Sequence, residues 1–342
     1  MTGRAEYPLI SVCIANFNGM DIIDDCLRSV QNQIDTQPFE IIVHDDASTD
    51  GSAEYIRIHY PDVVLLQSLE NAGFCVSNNR MVAQARGKYI LLLNNDATLF
   101  PDALLTLHAY AETQSSGCIL SLPQYDAATG NLIDIGSLSD PFLNPIPNMD
   151  AKRGDVAMVS GACLWITKVL WEKLGGFPEW FHTLAEDAYL CFRARVEGYS
   201  VQALGSSGFR HWVGKSLGGG KVTAQNRLAT SHKRRALTER NKSFVMALTY
   251  PAPLFQLVFP LHLVLLLAEG LILALIKREW RVFREIYLAC FMALWLERGR
   301  ILRLRREIQS RKKIGPRLFM SVLKLPPHKL RMLLRHGVPQ LE

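Results

Sequence analysis

Apolar segments of strand length alternate with helix-like stretches in the first part of the chain. The apolar segments cover residues 9–15, 39–43, 63–67 and 89–93, and each is short enough to be a buried strand. After the first segment, helical spacing is seen in Ile22, Ile23, Cys26, Leu27 and Val30, and a further helix is predicted over residues 76–85. Strands that alternate with helices predict an α/β fold with a doubly wound, mostly parallel sheet of Rossmann-like plan.

Polar side chains follow two of the predicted strands directly. Asp45 and Asp46 come after the second strand, and Asn94, Asn95 and Asp96 come after the fourth. Ligands of open α/β sheets bind at the carboxyl ends of the strands, so a site is expected there. Asp96 could bind Mg²⁺ or Mn²⁺ between two phosphates, or could simply help to cap the next helix. The Asp45–Asp46 pair could accept the imide N–H of uracil or thymine, or could form an Asx-turn.

Two acidic residues open a helix predicted over residues 186–196. Carboxylates in a first helical turn are favoured by the helix dipole, so Glu186 and Asp187 have a structural interpretation. Trp180 lies shortly before them, and an aromatic ring beside acidic groups suits a sugar-binding cleft. In such a cleft an aspartate could act as a general base.

Residues 205–221 contain six glycines and are predicted to form a mobile loop. The loop carries His211 and Lys215, which have either a structural role or a role in closing over a metal-bound diphosphate. Arg240 follows on a predicted basic stretch and could add positive charge at the same place.

The composition indicates a folded protein with a large core. The chain has 342 residues, of which 49% are hydrophobic and 20% charged, which fits one large α/β domain with an appendage, or two domains. Its seven cysteines are dispersed and odd in number, which favours reduced thiols over disulfides or a zinc site. Reduced thiols favour a cytosolic compartment, and residues 1–7 have no apolar segment like that of a secretory signal.

The last part of the chain joins a long apolar run to a strongly basic tail. Residues 252–276 are apolar and long enough to span a bilayer, although Gln256, His262 and Glu269 interrupt them. Residues 277–342 carry 17 basic and 5 acidic residues, a net charge of +12, while residues 1–276 have a net charge of −6. We expect helices that lie in the plane of an anionic cytoplasmic membrane surface. The alternatives are a helix that spans the membrane and the core helices of a soluble domain. The acidic body and the apolar run argue against a nucleic-acid partner.

Seven segments occur in an order that resembles a known enzyme family. They read SVCIANFNG, HDDASTDGS, NAGF, ARGKYILLLNND, SGACLWITK, AEDAYLCFRAR and FRHWVGKS. Over about residues 8–250 they resemble the inverting glycosyltransferases of family 2, which have the GT-A fold, and especially the rhamnosyltransferase-like branch. The resemblance divides the chain into a catalytic domain, residues 1–250, and a membrane-association region, residues 251–342.

The resemblance assigns roles to the candidate residues. Asp46 would contact the base of the donor and Asp45 its nucleoside, with Asn94 and Asn95 near the ribose and phosphates. Asp96 and His211 would bind a divalent metal, Mg²⁺ or Mn²⁺, and Lys215 and Arg240 would face the diphosphate. Asp187 would be the catalytic base with Glu186 beside it. Gly161 and Ala162 would border the acceptor pocket, together with Trp180.

The implied reaction transfers a sugar from a dTDP- or UDP-linked donor to a hydroxyl of a glycan or polyprenyl-linked glycan in cell-surface polysaccharide synthesis, and the resemblance names rhamnose as a candidate sugar. Two features depart from the wider family. Asn94-Asn95-Asp96 has one carboxylate where a DXD motif has two, and no QXXRW motif of processive synthases is found. A dinucleotide-dependent oxidoreductase is disfavoured because NFNG, not GxGxxG, follows the first strand. A non-catalytic scaffold in glycan assembly is the alternative function.

Overall fold

The computed structural model describes residues 7–212, 219–222, 228–336 and 340–341. The strands are β1 (Ile10–Asn16), β2 (Phe39–Asp45), β3 (Val64–Gln67), β4 (Tyr89–Asn94), β5 (Ala97–Leu99), β6 (Cys118–Ser121), β7 (Gln124–Asp126), β8 (Leu132–Asp134), β9 (Ser137–Ser139), β10 (Pro145–Pro147), β11 (Cys163–Thr167), β12 (Ser200–Ala203), β13 (Phe209–His211), β14 (Gly219–Val222), β15 (Leu228–Thr230) and β16 (Gln340–Leu341).

The α-helices are α1 (Ile23–Gln31), α2 (Ser52–His59), α3 (Phe74–Gln84), α4 (Ala103–Glu112), α5 (Lys168–Leu174), α6 (Glu186–Val196), α7 (His232–Thr249), α8 (Leu254–Lys277), α9 (Trp280–Val282), α10 (Ala289–Leu296), α11 (Arg298–Ser310), α12 (Pro316–Met320) and α13 (His328–His336). A 3₁₀ turn covers Glu179–Phe181 and a π-helix covers Phe283–Leu288.

The main sheet has seven strands in the order β12-β6-β11-β4-β1-β2-β3. β1 runs parallel to both β2 and β4, and β2 runs parallel to β3. β11 is antiparallel to β4 and β6, so the sheet is mixed but mostly parallel, as predicted. The chain leaves β1 toward β2 and β3 on one side and returns to β4 on the other. The carboxyl ends of β1 and β4 therefore flank the switch point of the sheet.

The predicted strands and helices around this switch point are confirmed within one to three residues. β1 is buried along nearly all of its length, as expected for a parallel strand covered on both faces. α1 buries Ile23, Cys26, Leu27 and Val30, the residues whose spacing predicted it. α3 begins directly after Gly73, whose φ of +93° lies in the range that favours glycine.

A second, smaller sheet lies beside the first, with strand order β5-β13-β7-β8. β13 is antiparallel to β5 and parallel to β7. Each of its four strands has three residues, too few to show the alternation that identifies a strand in a sequence. The sequence therefore gave no sign of the strands β7 to β10, which lie within residues 123–160.

Contacts divide the chain into two compact units. The first unit comprises residues 7–137, 147–194 and 199–212, and the second comprises residues 138–146, 195–198 and the described residues from 219 onward. The predicted functional boundary at residue 250 falls inside the second unit, between α7 and α8.

Helix α8 is the long apolar element of the second unit. In the part of the chain that the structure describes, it is the one helix long and apolar enough to cross a membrane by length and composition, and 28% of its most apolar window is buried. One face packs on α9 and the π-helix through Leu266, Leu273 and Ala274. The opposite face exposes large apolar side chains, among them Leu257, Leu261, Val264, Leu265, Ile272 and Leu275.

Candidate active site

The ends of β1, β2 and β4 bring the first group of candidate residues together. The register pairs Asn16 with Asp45 across β1 and β2, and Ala15 with Asn94 across β1 and β4. Asn16 Nδ2 donates to Asp45 Oδ1 at 2.9 Å, and Asn95 Nδ2 donates to Asn16 Oδ1, also at 2.9 Å. The polar residues predicted at two separate strand ends therefore share one hydrogen-bonded cluster.

Asn16 is the residue that joins this cluster, and sequence reasoning did not select it. Its side chain is buried and also donates to Ser52 Oγ at 2.9 Å. Gly19 closes over it, since a Cβ there would lie 2.3 Å from Asn16 Oδ1 and 2.4 Å from Asn95 Nδ2. The signal in the sequence was the same as for the other residues, namely a polar side chain at the end of a buried strand.

Asp45 and Asp46 are both buried and both accept backbone hydrogen bonds. Asp45 Oδ2 accepts from the Ser48 amide at 3.1 Å. This is a local turn contact, of the kind considered above as the structural role of the Asp45–Asp46 pair. Asp46 accepts from the amides of Ala72 and Gly73, one on each carboxylate oxygen and both at 2.8 Å. Each of these oxygens retains lone pairs for a further donor.

Asp96 and His211 meet although 115 positions separate them. β13 pairs with β5 so that His211 lies opposite Ala97, the residue after Asp96. His211 Nε2 lies 3.0 Å from Asp96 Oδ1, a buried oxygen with no aligned hydrogen bond among the described residues. Gln124 Nε2 lies 3.2 Å from His211 Nδ1 and fixes the ring from its far side.

This pair fits a divalent cation in part. No group of three or more His, Cys, Asp and Glu side chains within the described ranges is arranged to hold a metal. Asp96 and His211 offer one carboxylate and one imidazole, and the buried, unaligned Asp96 oxygen is suited to a cation. Mg²⁺ is commonly held by one or two protein groups, with substrate phosphates and water completing its shell.

Glu186 and Asp187 open α6, at the predicted position. Burial, and then the charge of Asp187, raise the pKa of Glu186 to about 8. Burial also raises the pKa of Asp187, but the amides of Gly161 and Ala188 donate to its carboxylate at 3.1 Å and 2.6 Å and lower it. Glu186 Oε2 is buried without a hydrogen-bond partner among the described residues. Asp187 is therefore the member of the pair better prepared to carry a charge.

Gly161 and Ala162 connect this acidic pair to the strand-end cluster. The Gly161 amide binds Asp187, while the Ala162 carbonyl accepts from the Asn94 amide at 3.1 Å. A Cβ at Gly161 would lie 3.7 Å from both Asp187 Cβ and Glu186 Oε1. Gly161, one of the residues predicted to border an acceptor pocket, is thus in direct contact with the predicted base.

The segment before α6 has an unusual backbone. His182, Leu184 and Ala185 have φ values of +66°, +70° and +63°. At His182 the Thr183 amide donates to the Phe181 carbonyl at 2.8 Å, which closes a γ-turn of the rare, strained hand. Backbone strain of this kind persists only where the surroundings enforce it, and it is concentrated at functional sites.

His182 also contacts the segment that binds Asp46. The Cys75 amide donates to its carbonyl at 3.1 Å. A Cβ at Gly73 would lie 2.2 Å from His182 Nδ1, so the imidazole packs directly on Gly73, the residue whose amide binds Asp46. Sequence reasoning missed both residues, because neither their type nor their spacing indicates this contact.

The remaining candidates are spread more widely. Trp180 is half-buried and packs edge-on against Phe181, with ring centroids 4.8 Å apart. Asn94 Oδ1 is buried without a hydrogen-bond partner among the described residues. Arg240 lies on α7 in the second unit, where it donates to Asn241. Lys215 lies outside the described residues.

Comparisons with known proteins bear on the family and the fold. The family described as Glycosyl transferase family 2 matches residues 11–175. Chondroitin synthase of Escherichia coli is 33% identical over 134 residues, which cover 38% of this chain and 19% of that protein. Matches to three curated relatives span between 19% and 34% of the relatives' own lengths.

Solved structures share the fold at low sequence identity. A mannosyltransferase from Pyrobaculum calidifontis in complex with GDP-Man and Mn²⁺ matches with a TM-score of 0.53 and 19% identity, over 86% of this chain and 87% of that one. TarS 1–349 of S. aureus in complex with UDP matches with a TM-score of 0.51 and 16% identity, over 71% and 66% of the two chains. Residues 11–175 therefore match the glycosyl transferase family 2 model, and the mixed sheet and these neighbours show a GT-A-like fold.

Proposed function

We propose that this protein is an inverting glycosyltransferase that transfers a sugar from a nucleotide diphosphate to a glycan hydroxyl. The observation that carries the proposal is the placement of Asp187, whose carboxylate is held by the Gly161 amide while the adjoining Ala162 is bonded to the end of β4. A base and a polar strand-end cluster on opposite sides of one short segment suit an in-line displacement.

In the proposed reaction Asp187 takes the proton of the acceptor hydroxyl. The acceptor oxygen then forms its bond to the anomeric carbon, and the bond from that carbon to the donor phosphate breaks. Its electron pair leaves with the nucleoside diphosphate, and configuration inverts because attack is from the opposite face. General-base catalysis of this kind contributes about 10²- to 10⁴-fold to rates. Glu186, protonated near neutral pH, keeps a second negative charge away from Asp187.

Donor recognition is assigned to the switch-point cluster. Asp46 and Asp45 are proposed to accept the imide N–H of a uracil or thymine ring, and the unpartnered Asn94 Oδ1 suits a ribose hydroxyl. Asn95 would serve the phosphates. Asp96 and His211 would hold Mg²⁺ or Mn²⁺, which would neutralise charge on the leaving diphosphate. A dTDP-linked sugar such as rhamnose, or a UDP-linked hexose, fits this chemistry.

The second unit is proposed to seat the enzyme on a membrane. α8 exposes an apolar face, and the sequence from Lys277 onward has a net charge of +12. A helix of this kind lies in the membrane–water interface, and anionic headgroups strengthen the binding of a basic segment beside it. We place the protein at the cytoplasmic face, with a polyprenyl-linked glycan as the acceptor class.

The test measures binding and turnover separately. Titration calorimetry with UDP, dTDP and GDP is run with Mn²⁺, Mg²⁺ and EDTA, and sugar release is followed with the matching donors. Asp187→Asn is expected to keep donor affinity while turnover falls about 10²- to 10⁴-fold. Asp25→Asn, an exposed acid on α1, is the matched control. If no donor binds under any metal condition, a scaffold function replaces catalysis, and normal turnover of Asp187→Asn would refute the base.

A further inference from the structure

The second unit contains a cavity of about 250 Å³ that the proposed sugar transfer does not use. Its walls come from residues 142–144, α7, α8 and the start of α13. The charged lining residues are Glu239, Lys242, Glu269 and Lys329, and the apolar ones are Phe142, Leu265, Leu266 and Pro327, with Asn144 and His262 between them.

An ion network lies along one wall of this cavity. Lys329 Nζ lies 2.6 Å from carboxylate oxygens of both Glu239 and Glu269. Lys242 Nζ lies 2.7 Å from Glu239 and 3.1 Å from Asn144 Oδ1, and Arg235 pairs with Glu269. Removing so many charges from water costs free energy, so a buried ion network is by itself weak evidence that these residues stabilise the fold. A network of this kind calls for a functional explanation.

The network contains more basic than acidic side chains. Three basic side chains, Arg235, Lys242 and Lys329, face two carboxylates, Glu239 and Glu269. Burial lowers the pKa of His262 to about 3, so its ring is neutral at pH 7 and leaves the balance unchanged. The ion pairs therefore contain one basic group more than they contain carboxylates, and burial lowers the pKa of one of these groups, Lys242. A ligand with a negative charge would favour the protonated form of Lys242 and would pair with the extra basic group.

The other wall joins the cavity to the exposed apolar face of α8. Leu265 lines the cavity and is also 46% exposed. Leu261 and Val264, exposed as well, lie on the same face because residues three and four apart share a side of a helix. A ligand that enters past Leu265 can keep an apolar tail on α8 while its charged end reaches Lys242 and Lys329.

We propose that this cavity binds the anionic phosphate headgroup of a membrane lipid, with the lipid chain lying along α8. The volume is slightly below the usual range for pockets that enclose a whole small ligand, about 300–1,000 Å³, which suits a headgroup and its first methylenes. The inference rests on the proposed membrane association and is independent of the sugar-transfer chemistry.

The test uses the full chain and short-chain lipids that stay monomeric in water. Binding of dihexanoyl phosphatidylglycerol, dihexanoyl phosphatidylcholine, farnesyl phosphate and inorganic phosphate is measured by calorimetry. An anionic amphiphile is expected to bind at least about tenfold tighter than the zwitterionic lipid or inorganic phosphate. Preference for phosphatidylglycerol identifies a bulk phospholipid, and preference for farnesyl phosphate identifies an isoprenyl phosphate.

Two variants test the cavity in different ways, one through its charge and one through its entrance. Lys329→Met removes a cavity charge from a partly exposed position, and Leu265→Trp narrows the entrance without changing the ion network. Each is expected to weaken binding about tenfold or more, whereas Lys324→Met, an exposed lysine of the same unit, is expected to leave it unchanged. Circular dichroism checks that all three are folded.

Three results would overturn the proposal. They are the absence of amphiphile binding, equal binding of inorganic phosphate, and equal loss in Lys324→Met. Because no step of the assay uses a nucleotide sugar, failure here is separate from failure of the glycosyltransferase assignment.

Discussion

At the scale of single residues, the two carboxyl groups that open α6 differ in their surroundings. Two backbone amides donate to Asp187, while one buried oxygen of Glu186 has no partner among the described residues. Burial raises the pKa of both groups, and for Glu186 the raised value is about 8. The pair therefore resists a second buried negative charge, and the two amides favour Asp187 over Glu186 as the group that carries the first.

Glu186→Gln tests this difference through the pH dependence of stability. Since the pKa of Glu186 rises from 4.5 to about 8 on folding, its stabilising contribution is fully present below pH 4.5 and is lost as pH rises through about 8. Glu186→Gln has no carboxyl group to ionise, so its free energy of unfolding does not fall over this pH range for that reason. Urea unfolding should show equal stability near pH 4 and an advantage of about 1–3 kcal/mol for the variant near pH 9. Parallel stability curves for the two proteins would contradict it.

The strand-end residues were predictable from sequence, but the contacts that organise them were not. A polar residue directly after a buried strand is visible in the chain, and Asp45, Asp46 and Asp96 were found this way. The contact between Asp96 and His211 depends on the pairing of two three-residue strands, which leaves no periodic signal. The packing of His182 on Gly73 depends on backbone angles that residue type does not indicate.

At the scale of elements, α8 combines a packed face with an exposed apolar one. Its apolar length was evident in the sequence, but the division into two faces was not, because residues of both faces are aliphatic. Leu266 and Leu273 are buried against the π-helix region, while Val264 and Leu275 are exposed. The exposed face is the part of α8 available to a bilayer surface.

Val264→Gln and Leu275→Gln are expected to weaken binding to phosphatidylglycerol vesicles. Transfer of each side chain into an apolar phase is worth about 1.5–3 kcal/mol, so each change should cost about tenfold or more in affinity. Vesicle sedimentation measures the effect. Leu69→Gln, an exposed leucine of the first unit, serves as the control and should bind normally. Unchanged binding of both α8 variants would exclude this face as the membrane contact.

At the scale of the whole molecule, the chain has two compact units, and the roles proposed for them differ. The strand-end cluster and the acidic pair belong to the first, and α8 and the charged cavity belong to the second. The family match covers residues 11–175 alone, so relatives inform the first unit more than the second. The sequence indicated this difference through the change from an acidic body to a basic, apolar end.

Amide hydrogen exchange should show that a nucleotide protects residues of the first unit and that vesicles protect residues of the second. A bound nucleotide is expected to slow exchange of amides in residues 72–75 and 182–188, which include those that donate to Asp46 and Asp187. Anionic vesicles should instead slow exchange in residues 254–277. Asp187→Asn should retain the nucleotide pattern. Identical patterns for the two ligands would contradict a division of labour between the units.

The three left-handed residues His182, Leu184 and Ala185 also link the acidic pair to helix α3. Each such residue costs about 1–3 kcal/mol in isolation, so an unfolded chain leaves this conformation quickly. It is enforced by the Cys75 amide on the His182 carbonyl and by the His182 ring on Gly73. Contacts with the start of α3 and with the glycine before it therefore help to hold the segment that leads into the acidic pair. Under the proposed function, a change that displaced α3 would disturb the proposed donor site and the proposed base together, so that donor binding and turnover would be lost at once.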